Sequence, residues 1–205
     1  MVGGVPEFRL VCFHNAGSSS AVYSGHCGSR GRELGNPLEE HCRVHGGELL
    51  AVELPGREER RDERRERSLA LYVSALFPVL APLLQDVPYV LIGHSMGTWL
   101  LYELMRRLSA EGMPYPKQLV VSGFPAPDFP VADRPWSKNA PMSDEAFQQE
   151  CLGWNVNEIV FDPWNWEQFS GMMRDDFTLF DSSRCCSTSC ACCSVRGRGC
   201  AALDA

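Results

Sequence analysis

The stretch LIGHSMGTWLLYEL, residues 91–104, holds a serine between two glycines where an apolar run gives way to a helical pattern. Gly93-His94-Ser95-Met96-Gly97 fits the G-x-S-x-G pattern of a nucleophile elbow, in which the serine occupies a strained strand-to-helix turn. The turn needs small neighbours, because a side chain at either flanking glycine would collide with the strand or the helix. It presents the Ser95 hydroxyl at a helix N-terminus, where unpaired N–H groups and the helix dipole favour developing negative charge. Ser95 is therefore the candidate nucleophile. A serine alcohol is a poor nucleophile without an adjacent base, and in this architecture an acid and then a histidine follow the serine along the chain. The histidines are His14, His26, His41, His45 and His94, and none follows Ser95. Of these, His14 is the one whose loop lies beside the elbow. Asp128, in the Pro-rich FPAPDFPVADRP, is a candidate acid, with a plain turn residue beside Pro127 as the alternative.

An oxyanion site needs a second N–H, expected from the loop after an early strand. HNAGSSS follows the apolar run FRLVCF of residues 8–13 and is that loop. Its Asn15, Ala16 and Gly17 are small or polar and let backbone amides approach closely, while Ser18 to Ser20 also suit a helix cap.

The elements that must position these groups are legible as runs. FRLVCF, ELLAVELP (residues 48–55), VPYVLIG (87–93) and QLVVSG (118–123) read as strands. Between and after them lie an apolar helix over 68–85, kinked or broken near Pro78 and Pro82, and a helix from Met96 to about Ala110. In the latter, Leu100, Leu101, Leu104 and Leu108 form one face. Strands alternating with helices, several uniformly apolar, predict an α/β fold with a parallel sheet covered on both faces. REERRDERRER, residues 57–67, reads as a solvated helix face laced by i,i+4 pairs, or as a docking patch for an acidic partner. Residues 143–180 are helical in pattern and rich in aromatics, which suits a lid over a pocket or an ordinary covering helix pair.

At 205 residues and 44% hydrophobic, the chain suits a single core. A net charge of −7 argues against a nucleic-acid partner. The N-terminus lacks the basic and apolar regions of a secretory signal, and residues 69–85 read as a buried helix rather than a membrane span. Scattered Cys12, Cys27, Cys42 and Cys151 read as reduced thiols of a cytoplasmic protein. The other six cysteines crowd into residues 185–200. Their spacing is not that of paired C-x₂-C zinc ligands, so no metal and no cofactor is expected.

Five segments in order carry a family resemblance. LVCFHNAGSSSAVY resembles the F-P-x-A-G-G-S-x-x-x-Y/F opening of the type II thioesterases, stand-alone hydrolases serving peptide, polyketide and fatty acid synthesis. AVELPGREER is similar to their Q-L-P-G-R-E-x-R segment, and GHSMGTWLLYELMRRL to their G-H-S-M-G-A-x-x-A-Y-E-L-A-R-x-L elbow. LVVSGFPAP and MMRDDFTLFDS are similar to L-x-x-S-G-x-x-A-P and R-A-D-F-x-l-x-E-x-Y. The chain departs from the pattern at His14, Asn15 and Ser18 in the first loop, and over residues 24–47, where the family's tryptophan-containing stretch is absent.

The resemblance implies an α/β-hydrolase fold with a helical lid and hydrolysis of acyl thioesters on the phosphopantetheine arm of an acyl or peptidyl carrier protein. It implies that Ser95 attacks, that the amides of Met96 and Ala16 hold the oxyanion, and that His94 belongs to the elbow and is not the base. The family keeps its base in a G-G-H-F segment near its C-terminus, which this sequence lacks. The resemblance stops near Ser182, so residues 1–182 are expected to form an incomplete hydrolase domain without its last strands, and 183–205 a disordered Cys/Ser-rich tail. The chain as written is then an impaired thioesterase. The rival readings are a carboxylesterase or lipase, and a non-catalytic module that still binds acyl chains or carriers.

Overall fold

The computed structural model describes residues 4–24, 36–126, 133–134, 136–154 and 156–182. Strand β1 (Arg9–Phe13) leads through a loop into the short helix α1 (Ala21–Ser24), followed by α2 (Pro37–Val44) and β2 (Glu48–Ala51). Then come α3 (Leu69–Leu84), β3 (Tyr89–His94), α4 (Met96–Ala110) and β4 (Gln118–Ser122), and finally α5 (Asp144–Gly153) and α6 (Pro163–Ser182). The sheet is parallel in the order β2-β1-β3-β4, with Arg9 opposite both Glu48 and Tyr89. The chain therefore crosses one way from β1 to β2 and the other way to β3. That places a topological switch point between β1 and β3, where open parallel sheets bind ligands beyond the carboxyl ends of their strands.

β1 and β3 are central because their residues are apolar on both faces. Val11, Phe13 and Leu91 join α3 and α4 in the main core, while Leu10, Cys12 and Cys42 of α2 form a smaller core on the opposite face. α4 runs over the residues that the leucine spacing predicts, and Leu100, Leu101, Leu104 and Leu108 are all buried. α2 was not legible as an element within residues 24–47, although its start is well marked. Asn36 accepts the Leu38 N–H at the N-cap, Pro37 opens the helix, and Glu39 and Glu40 lie in its first turn.

Three expectations are corrected. α3 does not break near its prolines but runs through Pro78 and Pro82, so of the expected kink or break the break is overturned. Both prolines are on its exposed side, where the carbonyls that lose an N–H partner can turn to water. Residues 57–67 do not form a helix. Only Glu58–Arg60 makes a short 3₁₀ turn, after Pro55 and a Gly56 at φ 84°. β4 is not covered on both faces: Leu119, Val120 and Val121 are exposed, because β4 is a sheet edge with no strand beyond it among the described residues. Among those residues no helix is long and apolar enough to cross a membrane.

Leu104 is fully buried on α4 whereas Trp164 is 67% exposed on α6. Leu104→Ala should lower unfolding free energy by about 2–5 kcal/mol and Trp164→Ala by no more than about 0.5. Urea titrations of the two variants check this, and equal losses would mean the α4 core is wrongly described.

Candidate active site

Ser95 sits between β3 and α4 with φ 52° and ψ −120°. A non-glycine residue in the left-handed region is strained by about 1–3 kcal/mol and persists only where its surroundings hold it. The Ser95 N–H donates to the Ser122 carbonyl of β4, and its carbonyl accepts both the N–H and the hydroxyl of Thr98. The Ser95 side chain makes no capping bond to α4, which leaves its hydroxyl unengaged. The flanking glycines are required by close approach. A methyl group on Gly97 would overlap the Phe13 carbonyl, and one on Gly93 would lie 2.8 Å from the Gly97 carbonyl. The N-terminus of α4 is thereby pressed against the end of β1, next to the loop that follows it.

That loop and the elbow share a cleft of roughly 380 Å³. Asn15, Ala16, Gly17 and Ser18 line one side, with His94 and Ser95 at the base. Among the described residues the Ala16 N–H donates to no protein acceptor, while its carbonyl takes the Asn15 amide. The Met96 N–H, at the first position of α4, has no intrahelical partner. Both predicted donors are thus unengaged backbone amides at adjoining chain segments. Ser19 also accepts the Ala21 N–H, so the loop caps α1 as well.

The far wall of the cleft is apolar. Phe124 and Trp154 stack with ring centroids 5.5 Å apart, and Val156, Val160, Met173 and Phe177 continue the surface. The segment expected to form a lid therefore does line the cleft. Of its aromatics, Trp154 and Phe177 line the cleft, whereas Trp164 and Phe169 face solvent and Trp166 packs on Phe147 and Phe161. A helix has two faces, and the sequence pattern does not tell which one meets the cleft.

His14 is 1% exposed. Its Nδ1–H donates to the Asn15 carbonyl at 2.8 Å, and its Nε2 is buried without a partner. Burial, and then the nearby Arg57 charge, lower its pKa from 6.5 to about 4. His94 rests against Gly123 and lies 3.3 Å from the Ser122 hydroxyl. Burial pushes the Cys12 and Cys151 thiols up to about 12, which removes them as rival nucleophiles. Asp128 and the clustered cysteines lie outside the described residues. A second depression, between Glu63–Leu71 and Asp175, shares no lining residue with the Ser95 cleft, and its Arg65 and Arg67 are engaged by Asp175.

Sequence reasoning missed the polar groups behind the loop. Arg57, expected on a solvated face, is buried and forms a two-pronged ion pair with buried Asp176 of α6. Asp176 also accepts the Gly17 N–H, Arg57 donates to the Ser18 carbonyl, and Glu53 accepts from the Ser20 N–H and hydroxyl.

Known proteins resemble this chain in both sequence and shape. The human medium-chain S-acyl fatty acid synthase thioesterase is 29% identical over 143 residues, covering 70% of this chain and 47% of that protein. The gramicidin S biosynthesis protein GrsT of Aneurinibacillus migulanus is 29% identical over 160 residues, covering 78% of this chain and 56% of its own. The chain thus spans about half the length of these curated relatives. Among solved structures, the RedJ thioesterase of the prodiginine pathway in Streptomyces coelicolor superposes with a TM-score of 0.67 at 28% identity, covering 88% of this chain and 65% of RedJ. The type II thioesterase BorB of the borrelidin cluster gives 0.66 at 27%, covering 87% of this chain and 66% of BorB. The parallel sheet with its flanking helices is the α/β-hydrolase-like arrangement of these neighbours. The family model described as "Thioesterase domain" matches residues 8–198, and by that match the chain belongs to the thioesterase-domain family.

Proposed function

We propose that the chain acts on acyl thioesters carried by the phosphopantetheine arm of acyl or peptidyl carrier proteins, for chain release or editing, with Ser95 as nucleophile. The observation that carries this reading is the strained Ser95 at the head of α4, its hydroxyl unengaged, in a cleft with an apolar wall. The names of its relatives, drawn from fatty acid and peptide biosynthesis, support the carrier-bound substrate. The buried free thiols Cys12, Cys42 and Cys151 suit a reducing cytoplasmic setting.

In the reaction, the Ser95 oxygen attacks the thioester carbonyl and its proton passes to a base. The carbonyl oxygen takes the negative charge, and the Met96 and Ala16 amides stabilise it. Collapse breaks the C–S bond, and the departing thiolate takes up the proton. The acyl chain, now esterified to Ser95, lies along Trp154, Val160 and Phe177. Water then attacks the ester, releasing the acid and restoring the serine.

The base is the weak point of this polypeptide. His14 is buried with its proton on the side facing Asn15, and its low pKa makes it a feeble acceptor. The 205-residue polypeptide therefore turns over slowly, sustained by amide stabilisation and binding. The buried His14, which resists protonation, also favours a second reading, a non-catalytic module that binds acyl chains or carriers.

Of three predictions here, the first concerns Ser95. Incubation with an acylated carrier should place the acyl group on Ser95, seen by intact mass. Steady-state hydrolysis should be only about 10³–10⁴-fold above water. Ser95→Ala should lose acylation and keep its melting temperature. Acylation in the alanine variant would overturn the nucleophile assignment, turnover at ordinary enzyme rates would overturn the impairment, and no acylation of the wild type would leave the binding module.

The cleft wall gives the second. Trp154→Ala and Val160→Ala should shift acyl-chain preference toward longer chains, while exposed Trp164→Ala leaves it unchanged. Competition among acyl-carriers of graded length reads this directly, and an effect from Trp164 alone would move the acyl site elsewhere.

The third concerns pH. Between about pH 6.5 and 4 the unfolded chain holds a proton on His14 that the folded chain does not, so stability rises with pH across that window. The contribution is present above 6.5 and falls away as pH drops toward 4, by on the order of 3 kcal/mol. His14→Gln keeps an N–H for Asn15 and cannot titrate, so its stability profile should be flatter there. Parallel wild-type and variant profiles in urea titrations would mean that His14 is not a buried neutral imidazole.

A further inference from the structure

Asp176 and Arg57 are nearly inaccessible, at 1% and 2% side-chain exposure. The guanidinium meets the carboxylate twice, at 2.8 and 3.1 Å. A pair so dehydrated gains little for stability over two well-packed apolar residues, since desolvation offsets the attraction. Arg57 Nε is buried without a partner, and the two further bonds that the pair makes both go to one place. Asp176 Oδ2 takes the Gly17 N–H at 2.8 Å, and Arg57 Nη1 donates to the Ser18 carbonyl at 2.7 Å.

We propose that Arg57 and Asp176 are positioning residues that set which amide of the 14–18 loop faces the cleft, an inference that rests on Ala16 being an oxyanion donor. A peptide unit is planar, so fixing one of its polar atoms fixes the orientation of the other. The Gly17 N–H held by Asp176 orients the Ala16–Gly17 unit, whose carbonyl the Asn15 amide also holds. The Asn15 carbonyl is held by the His14 ring and the Ser18 N–H. This last carbonyl shares its plane with the Ala16 N–H, which has no acceptor among the described residues and belongs to a residue that lines the cleft. Gly17 is thus withdrawn as a donor by the carboxylate, and Ala16 is left as the donor. The Arg57 charge balances Asp176, which would otherwise oppose a negative oxygen forming two residues away.

The same helix carries the apolar wall. Met173 and Phe177, one turn before and one residue after Asp176, line the cleft. A methyl group on Gly17 would lie 2.7 Å from the Met173 side chain. A shift of α6 therefore moves the acyl surface and the amide edge together.

The full chain tests this with two probes. Octylboronic acid forms a tetrahedral, negatively charged adduct on a serine oxygen, whereas the S-octyl thioether of pantetheine fills the acyl and arm sites without an oxyanion. Arg57→Leu/Asp176→Leu replaces both charges together and so keeps the core filled. Calorimetry should show its boronate affinity weakened by about tenfold or more, with thioether affinity unchanged. Asp176→Asn, which keeps an acceptor for the Gly17 N–H, should recover most of the boronate affinity. A merely structural role would weaken both probes alike, and that result, or an unchanged boronate affinity in the double variant, overturns the proposal. Should the double variant fail to fold, Asp176→Asn is compared with Asp176→Ala, and equal boronate affinities in these two overturn it. Wild-type boronate binding that survives Ser95→Ala would instead overturn the nucleophile reading beneath it.

Discussion

The approach of α4 to the ends of β1 and β3 is the contact on which the site depends. It occurs across two glycines. Gly97 lies against the Phe13 carbonyl and Gly93 against the Gly97 carbonyl, with no room for a side chain at either. The burial of Met96, Trp99, Leu100, Leu101, Leu104 and Leu108 holds α4 in that position. Ser95 keeps its positive φ because the strand before it and the helix after it are both fixed by this packing. The sheet order then does the rest. Loops leaving β1, β3 and β4 emerge at one end, so His14 to Ser18, Ser95 and Gly123 meet without any of them being near in sequence.

α6 supplies the second constraint through three consecutive charged residues. Arg174 donates to the Asn139 and Met142 carbonyls and reaches Asp144, Asp175 takes Arg65 and Arg67, and Asp176 takes Arg57 and Gly17. Energetically these are unequal. The Arg67 pair is largely solvated and contributes at most about 1 kcal/mol. The buried Arg57 pair contributes little net stability either, yet breaking it would strand a charge, at about 3–5 kcal/mol. The set as a whole also fixes the register of α6. A one-residue slip would carry Asp176 away from Gly17 and leave Arg57 unpaired.

The elbow was legible in the sequence because everything that defines it is local. An apolar strand, a small-residue turn and an amphipathic helix occupy consecutive positions, and the observed bounds of α4 match that reading. The charged run at 57–67 was misread because its alternating signs satisfy a helical i,i+4 pattern equally well. The partners of Arg57, Arg65 and Arg67 lie about a hundred residues downstream, Asp176 being 119 positions from Arg57. No periodicity within the run reports them, and only the Pro55-Gly56 break gave a local sign against a helix. The lid was legible as a segment but not residue by residue. Composition identified a wall of large side chains, but Trp154 rather than Trp164 lines the cleft, which depends on how α5 and α6 dock.

The loop after β1 resolves the part played by its histidine. A general base must gain a proton near neutral pH, and His14 resists one because its ring is dehydrated and because the Arg57 charge stands close by. That same guanidinium holds the Ser18 carbonyl and, through Asp176, the Gly17 amide. The charge that orders the loop is thus one of the influences that keep its histidine neutral. Neutral, the ring has a definite use: with its hydrogen on Nδ1 it donates to the Asn15 carbonyl and orients the peptide whose N–H is left to the cleft. On the reading proposed above, Arg57, Asp176 and His14 together shape this loop to present an amide, and the physical conditions that make it a good donor surface are those that make it a poor source of a base.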